Sequence, residues 1–245
     1  KFFSVSELGF YTTASNFSEI IVKQFTNAYN KVFFPVLSSV KNNTSFKSKY
    51  ISIYSILSII LVFISALAII ITPAFIEIVI GKKWLPSVIF MQLFLVEGLF
   101  YGLLMLNETI FNAKGDSGYS LRIDIIKKTL LMLSLFISYR YGIVWIIIGQ
   151  VFSTFTTFIY LIFLIEKKYS IITKNLNMEY LKILFVATII FSIDHFILQK
   201  YFNNIIHLFL GEILILPITF ILLIFILKIK GLKYIVTISK KYLPL

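Results

Sequence analysis

Long apolar runs, separated by short polar connections, make up almost the whole chain. A helix that crosses a bilayer needs about 20 mainly apolar residues, and runs of that kind recur along the sequence. We predict seven membrane crossings, at about residues 8–40, 51–80, 85–113, 123–139, 141–165, 180–198 and 205–227. The predicted fold class is therefore all-α, a polytopic membrane helix bundle.

The first and fourth predicted crossings carry more charge than the other five. Lys23 and Lys31 interrupt the first, and the fourth is free of charge only over residues 129–139. Lys127 and Lys128 lie at one end of the fourth, where long side chains can reach the headgroups. Both segments are also compatible with a re-entrant or an interfacial helix.

Composition indicates a lipid environment for most of the chain. Of its 245 residues, 59% are hydrophobic and 14% are charged, whereas soluble domains are about 45–50% apolar and about 25% charged. The connections between the apolar runs are short, so we expect no separate soluble domain. We assign residues 1–229 to one transmembrane lobe and residues 230–245 to a basic cytoplasmic tail.

Basic residues are divided unequally between alternate connections. The net charge of +12 would suggest a nucleic-acid partner in a soluble protein. No nucleic-acid-binding motif accompanies this charge, and we expect no nucleic-acid partner. One set of connections holds 16 Lys or Arg residues and the opposite set holds 5. Because positively charged loops stay in the cytoplasm, we expect the first set and the C-terminus to be cytoplasmic. The first set comprises Lys41, Lys47, Lys49, Lys114, Arg122, Lys127, Lys128, Lys167, Lys168, Lys174, Lys182, Lys228, Lys230, Lys233, Lys240 and Lys241.

Polar residues of the first predicted helix follow one stripe. At about 100° per residue they fall within an arc of roughly 80°, and they are Thr12, Asn16, Glu19, Lys23, Asn27 and Asn30. Glu19 and Lys23 have the spacing and order of a helical ion pair. Since a charge at the bilayer centre costs about 2.5–3.5 kcal/mol, the stripe predicts a water-filled cavity. Helix-to-helix contact within a bundle and a surface-lying amphipathic helix are the alternatives.

The third predicted helix has a similar polar face. Glu97, Tyr101 and Glu108 lie on it together, because eleven residues make about three turns. Gly98 and Gly102 form a small-xxx-small pattern, which indicates close helix packing. Glu97 is compatible with a carboxyl group that carries a proton or with the structural partner of a lysine. The candidate residues of a substrate cavity are Asn16, Glu19, Lys23, Asn27, Asn30, Glu97, Tyr101 and Glu108.

Four titratable residues are predicted near the outer ends of the last two helices. Asp194 and His195 lie in the sixth helix, and His207 and Glu212 lie in the seventh. These positions are compatible with the membrane interface or with an ion or proton site.

Enzymatic signatures do not occur in the sequence. There is no Cys, no H-E-x-x-H, no G-x-S-x-G and no phosphate-binding G-x-x-x-x-G-K-[ST]. We therefore expect a protein that is not an enzyme, with no catalytic residues, no metal site and no cofactor. The sequence opens at Lys1 without a signal-peptide pattern, and we expect an upstream half to precede it.

Several phrases occur in a distinctive order. They are Phe2-Phe3-Ser4, Glu7-Leu8-Gly9-Phe10-Tyr11-Thr12-Thr13-Ala14, Phe34-Pro35-Val36-Leu37-Ser38, Ile80-Gly81-Lys82-Lys83-Trp84-Leu85-Pro86-Ser87, Leu106-Asn107, Asn112-Ala113-Lys114-Gly115-Asp116-Ser117, and Leu121-Arg122 before Ile125-Ile126-Lys127-Lys128. In this series the chain resembles the C-terminal half of bacterial polysaccharide flippases, the lipopolysaccharide biosynthesis proteins of the multidrug/oligosaccharidyl-lipid/polysaccharide exporter superfamily. The similarity covers roughly residues 1–165, and the last two helices match only in character.

This resemblance implies one lobe of a two-lobe transporter with fourteen helices. The other lobe would be the upstream half of the same protein. The family implies alternating access that carries an undecaprenyl-pyrophosphate-linked oligosaccharide across the bacterial plasma membrane, in contact with membrane lipids. Lys23 is our first choice for contact with the pyrophosphate. A drug or cation antiporter of the same superfamily is the nearest alternative, and a membrane glycan polymerase is a more distant one because the outer connections are short.

Overall fold

In the computed structural model of the chain, the described residues are 3–40, 43–171, 174–202, 204–232 and 234. They form seven helical rods and contain no strand. The rods are α1 (Val5–Ser18, a π-helical segment Glu19–Lys23, and Gln24–Ser38), α2 (Asn43–Phe75 and a π-helical segment Ile76–Ile80), α3 (Val88–Ala113), α4 (Ser117–Ser138), α5 (Ile143–Tyr169), α6 (Lys174–Ile193, a π-helical segment Asp194–Leu198, and Gln199–Tyr201) and α7 (Ile205–Ile226). The all-α prediction is confirmed for this part of the chain.

Several helices begin earlier than the apolar pattern predicts. The second, fourth and sixth helices were expected from residues 51, 123 and 180, whereas α2, α4 and α6 begin at residues 43, 117 and 174. The reason is that hydropathy marks the span that suits the hydrocarbon layer, while backbone hydrogen bonding continues the helix into polar sequence. Of the predicted basic tail, only residues 230–232 and 234 lie within the described part.

Within the part of the chain that the structure describes, five helical segments are long and apolar enough to cross a membrane. They are Thr44–Ile80, Lys82–Ala113, Ile143–Tyr169, Asn175–Tyr201 and Ile205–Ile226. The chain is thus a multi-pass membrane protein by the length and composition of its helices. Rods α1 and α4 are not among these segments, because polar and charged residues make them less apolar, so the count of seven crossings stays a prediction.

Helix α3 lies at the centre of the bundle. It packs against α1, α2 and α5, while α2 also contacts α6 and α7. Its side chains Leu95, Leu103, Leu106 and Phe111 are fully buried. This placement gives α3 a wall in common with α1 and α5, the helices that form the candidate site.

The Gly98-x-x-x-Gly102 pattern lets α3 approach two neighbours at once. A Cβ atom built on Gly98 would lie 2.6 Å from Val22 Cγ2 of α1, and one built on Gly102 would overlap Leu61 Cδ1 of α2. Real Cβ atoms do not tolerate such distances in a close-packed interior. The prediction of close helix packing is confirmed.

Replacing Gly98 with alanine should therefore lower the melting temperature of the purified protein in detergent, because the new methyl group must push α1 away from α3. Inserting one extra carbon into a packed interior costs about 1–3 kcal/mol. Gly118→Ala is the matched control, since nothing lies within 4 Å of a Cβ atom at Gly118. Equal melting temperatures for the two variants would contradict the close contact between α1 and α3.

Helices α4 and α5 form an antiparallel hairpin, as the short junction between them predicts. Gly142 joins them with a φ of 104°, a backbone conformation that favours glycine. Gly149 faces Ser134, and the Ser153 hydroxyl donates a hydrogen bond of 3.0 Å to the Lys127 carbonyl. The hairpin brings α5 between α3 and α4.

Described residues of the lysine-rich connections meet at one end of the bundle. Lys47 Nζ donates to the Ser170 carbonyl at 3.1 Å, and Lys168 Nζ lies 2.7 Å from Asp116 Oδ1. The start of α2, the connection between α3 and α4, and the end of α5 therefore lie side by side. This arrangement agrees with the predicted alternation of the helices.

Candidate functional site

A cavity of about 140 Å³ lies between α1, α3 and α5. It combines charged, polar and aromatic side chains in a bundle that is otherwise mainly apolar. Its lining residues are Tyr11, Ser15, Ser18, Glu19, Val22 and Lys23 of α1, Phe94, Glu97, Gly98 and Tyr101 of α3, and Gln150 of α5.

The α1 wall of the cavity contains the π-helical segment Glu19–Lys23. A π segment widens the turn, because each N–H bonds to the carbonyl five residues back, and such segments are frequent at functional sites. Glu19 and Lys23 form an ion pair within it, and their side chains remain 48% and 42% exposed. The predicted ion pair is confirmed. Because both side chains are partly exposed, both charges can contact a molecule that enters the cavity.

Glu97 lies on the α3 wall and is held by α5. Gln150 Nε2 donates to Glu97 Oε2 and Thr154 Oγ1 donates to Glu97 Oε1, both at 2.8 Å. Glu97 is only 8% exposed. The suggested lysine partner of Glu97 is therefore wrong, because two uncharged donors on neighbouring turns of α5 occupy both carboxyl oxygens.

Sequence reasoning missed Gln150 and Thr154. They are four residues apart, which places them on one face of a helix, and they interrupt an otherwise mainly apolar stretch of α5. That spacing was the available signal. It would have predicted a polar contact with another helix, because a polar group buried without a partner is costly.

Aromatic rings complete the cavity. Tyr11 and Phe94 meet edge to face, with ring centroids 5.4 Å apart. The Lys127 ammonium lies 4.7 Å from the centroid of the Tyr101 ring, an arrangement worth about 0.5–2 kcal/mol. Lys127 was expected to reach the headgroups, and in the structure it extends from α4 to the edge of the cavity instead.

The structure brings together four of the eight candidate residues, Glu19, Lys23, Glu97 and Tyr101. The others lie outside the cavity lining, and they are Asn16, Asn27, Asn30 and Glu108. Glu108 is buried, with Asp124 and Lys127 as its charged neighbours. It shares a helix face with Glu97 but lies about 16 Å further along the axis, since each residue rises about 1.5 Å.

A second polar cluster lies between α6 and α7. Asp194 and Glu212 are buried beside each other, and Gln199 Nε2 donates to Asp194 Oδ2 at 2.8 Å. Because α7 packs over both carboxyl groups, they lie between helices, and the interfacial and ion-site interpretations both stay predictions. His195 and His207 are exposed. In the described residues, no group of three or more His, Cys, Asp or Glu side chains is arranged to hold a metal ion.

Comparison with known proteins bears on the α1 side of the cavity. Residues 1–89 match the family model of a polysaccharide biosynthesis protein. Over these residues, the resemblance of the sequence to polysaccharide biosynthesis proteins is confirmed. The matched segment contains all of α1 and α2, and so includes the whole α1 wall of the cavity with its ion pair. Neither the curated proteins nor the solved structures give a significant match.

Proposed function

We propose that the protein is a membrane flippase that translocates an undecaprenyl-pyrophosphate-linked oligosaccharide across the bacterial plasma membrane by alternating access. The cargo would be a repeat unit of O-antigen, capsule or exopolysaccharide. The observation that carries this proposal is that the segment matching polysaccharide biosynthesis proteins supplies the half-exposed ion pair of the cavity.

The exposed face of α1 supports a two-lobe transporter. Asn16, Glu19 and Asn27 are exposed on the described lobe. If this face of α1 contacted lipid, the charge of Glu19 would cost about 2.5–3.5 kcal/mol. A second lobe, formed by the upstream half of the same protein, would face α1 across water. In this arrangement α1 and α4 complete seven crossings, and the lysine-rich end and the C-terminus lie in the cytoplasm.

The chemistry of the cavity suits a pyrophosphate joined to a sugar. The Lys23 ammonium can exchange Glu19 for a phosphate oxygen, because both are anionic acceptors of charge-assisted hydrogen bonds. Ser15 and Gln150 offer hydrogen bonds to sugar hydroxyls. No covalent bond forms or breaks in this process. The protein acts by binding and by changing conformation.

Cation antiport is the second candidate, and one observation favours it. The cavity contains two carboxylates, Glu19 and Glu97, against one lysine, and its aromatic rings could contact an organic cation. However, Gln150 and Thr154 already occupy both oxygens of Glu97. The family match also favours a glycan over a drug.

Cysteine labelling in the full-length protein tests whether the cavity contains water. Because this chain has no native Cys, Ser15→Cys and Lys23→Cys should react with charged, membrane-impermeant thiol reagents. Phe17→Cys is the matched control on the same helix and should remain unlabelled, since Phe17 packs against Phe75 of α2 with ring centroids 5.5 Å apart. Equal labelling of all three positions would indicate a surface-lying helix, and no labelling of any would indicate buried helix contact.

A further inference from the structure

Two adjoining cavities lie at the lysine-rich end of the bundle, away from the α1, α3 and α5 cavity. Their volumes are about 490 Å³ and about 260 Å³, and Lys47, Ser170 and Ile171 line both. They are built from the start of α2, the end of α5, the start of α6 and residues Lys230 and Tyr234. None of their lining residues belongs to the candidate substrate cavity.

Positive charge dominates the walls of these cavities. Among the described residues, four lysines line them, Lys47, Lys114, Lys168 and Lys230, against one carboxylate, Glu179. Asp116 pairs with Lys168 from outside the lining. Bonds from Lys168 and Tyr169 hold the pKa of Asp116 below its ordinary value, so that carboxylate is charged at neutral pH. The balance remains positive by two charges.

Aromatic rings hold two of the ammonium groups in place. The Lys168 ammonium lies 3.8 Å from the centroid of the Tyr119 ring, and the Lys114 ammonium lies 4.0 Å from that of Phe46. Rings that position a cation beforehand reduce the entropy lost when an anion binds.

Lys47 is the lysine common to both cavities. Its ammonium has three donors, and one hydrogen bond goes to the Ser170 carbonyl. The backbone of Ser170 is left-handed, with φ 50°, where α5 ends. A cation fixed against a helix end, with further donors available, is suited to hold an anion between the two cavities.

We propose that these two cavities bind the phosphate headgroup of an anionic phospholipid. Basic pockets between transmembrane helices bind anionic headgroups at the cytoplasmic surface. Ile51, Ile171 and Leu176 provide an apolar wall beside the lysines, which suits the part of a lipid next to its headgroup. A bound lipid would join α2, α5 and α6, and this role goes beyond the transport of the oligosaccharide.

Native mass spectrometry of the purified full-length protein tests this site. We expect more bound phosphatidylglycerol than phosphatidylcholine at equal concentrations. Lys47→Gln should weaken phosphatidylglycerol binding about tenfold, because the variant loses one charge-assisted hydrogen bond. Lys47→Arg should retain most of the binding, which would show that the Gln variant loses a charge and not its fold. Lys200→Gln is the matched control, because Lys200 is exposed near the opposite end of α6.

Three results would overturn the proposal. They are equal binding of the two lipids, equal effects of Lys47→Gln and Lys200→Gln, and displacement of phosphatidylglycerol by an equal concentration of inorganic phosphate. The last result would indicate a site for free phosphate. This test does not depend on glycan export, so the lipid-binding proposal can fail or succeed independently of the flippase proposal.

Discussion

Lys23→Ala should abolish export of the glycan while the protein remains in the membrane at its normal level. Lys23 lines the cavity, and its side chain is 42% exposed beside Glu19. If the substrate pyrophosphate binds there, removing the charge removes its main electrostatic attraction. The measurement is surface glycan in a strain whose only copy carries the variant, with membrane protein quantified in parallel.

Two further variants separate substrate binding from a structural ion pair. If the pair is only structural, Glu19→Ala combined with Lys23→Ala should be mild, because no unpaired charge remains. If Lys23 binds phosphate, the double variant should be as inactive as the single one, and Lys23→Arg should retain some export. Lys31→Ala is the matched control, since Lys31 is exposed on α1 outside the cavity. Normal surface glycan with Lys23→Ala alone would exclude the substrate-binding role.

Glu97→Ala should strongly destabilise the protein. The substitution removes the acceptor of Gln150 Nε2 and leaves the fully buried Thr154 Oγ1 without its acceptor, at about 1–3 kcal/mol for an unsatisfied buried group. It also removes the polar link between α3 and α5. The melting temperature in detergent should fall substantially, and glycan export should fall with it.

Variants of the same and of another carboxylate calibrate this effect. Glu97→Gln should lower the melting temperature less, because its amide oxygen can keep one of the two hydrogen bonds. Glu19→Ala should change it little, since an exposed ion pair within a helix contributes about 0.3–0.5 kcal/mol. If Glu97→Ala and Glu19→Ala had equal effects on stability, Glu97 would have no role in joining α3 to α5.

The helices could be predicted from sequence because lipid imposes a simple requirement. Every backbone polar group must be satisfied within its own helix, so apolar runs of sufficient length mark the rods. Local pairs within one helix, such as Glu19 and Lys23, followed from spacing alone. Gly98 and Gly102 likewise indicated a close contact, although the identity of the partners Val22 and Leu61 required the structure.

Contacts between helices could not be predicted in the same way. The sequence did not show that Asp194 and Glu212 are neighbours, because only the packing of α7 on α6 brings them together. The contact of Glu97 with Gln150 and Thr154 could not be predicted either, because a single sequence does not show which face of α5 turns to α3. Helical periodicity placed Glu108 on the face of Glu97 correctly, but its depth along the axis separates it from the cavity.

Transport by the reconstituted full-length protein tests the central claim most directly. Proteoliposomes would contain an undecaprenyl-pyrophosphate-linked oligosaccharide with a fluorescent sugar, and an impermeant reagent would quench only the label in the outer leaflet. We predict that quenching proceeds to near completion with the native protein and stops at the outer-leaflet fraction with Lys23→Ala and in protein-free vesicles. The flippase proposal would be contradicted if quenching in vesicles with the native protein stopped at the level of protein-free vesicles. Export of an organic cation by the same vesicles would then favour the antiporter.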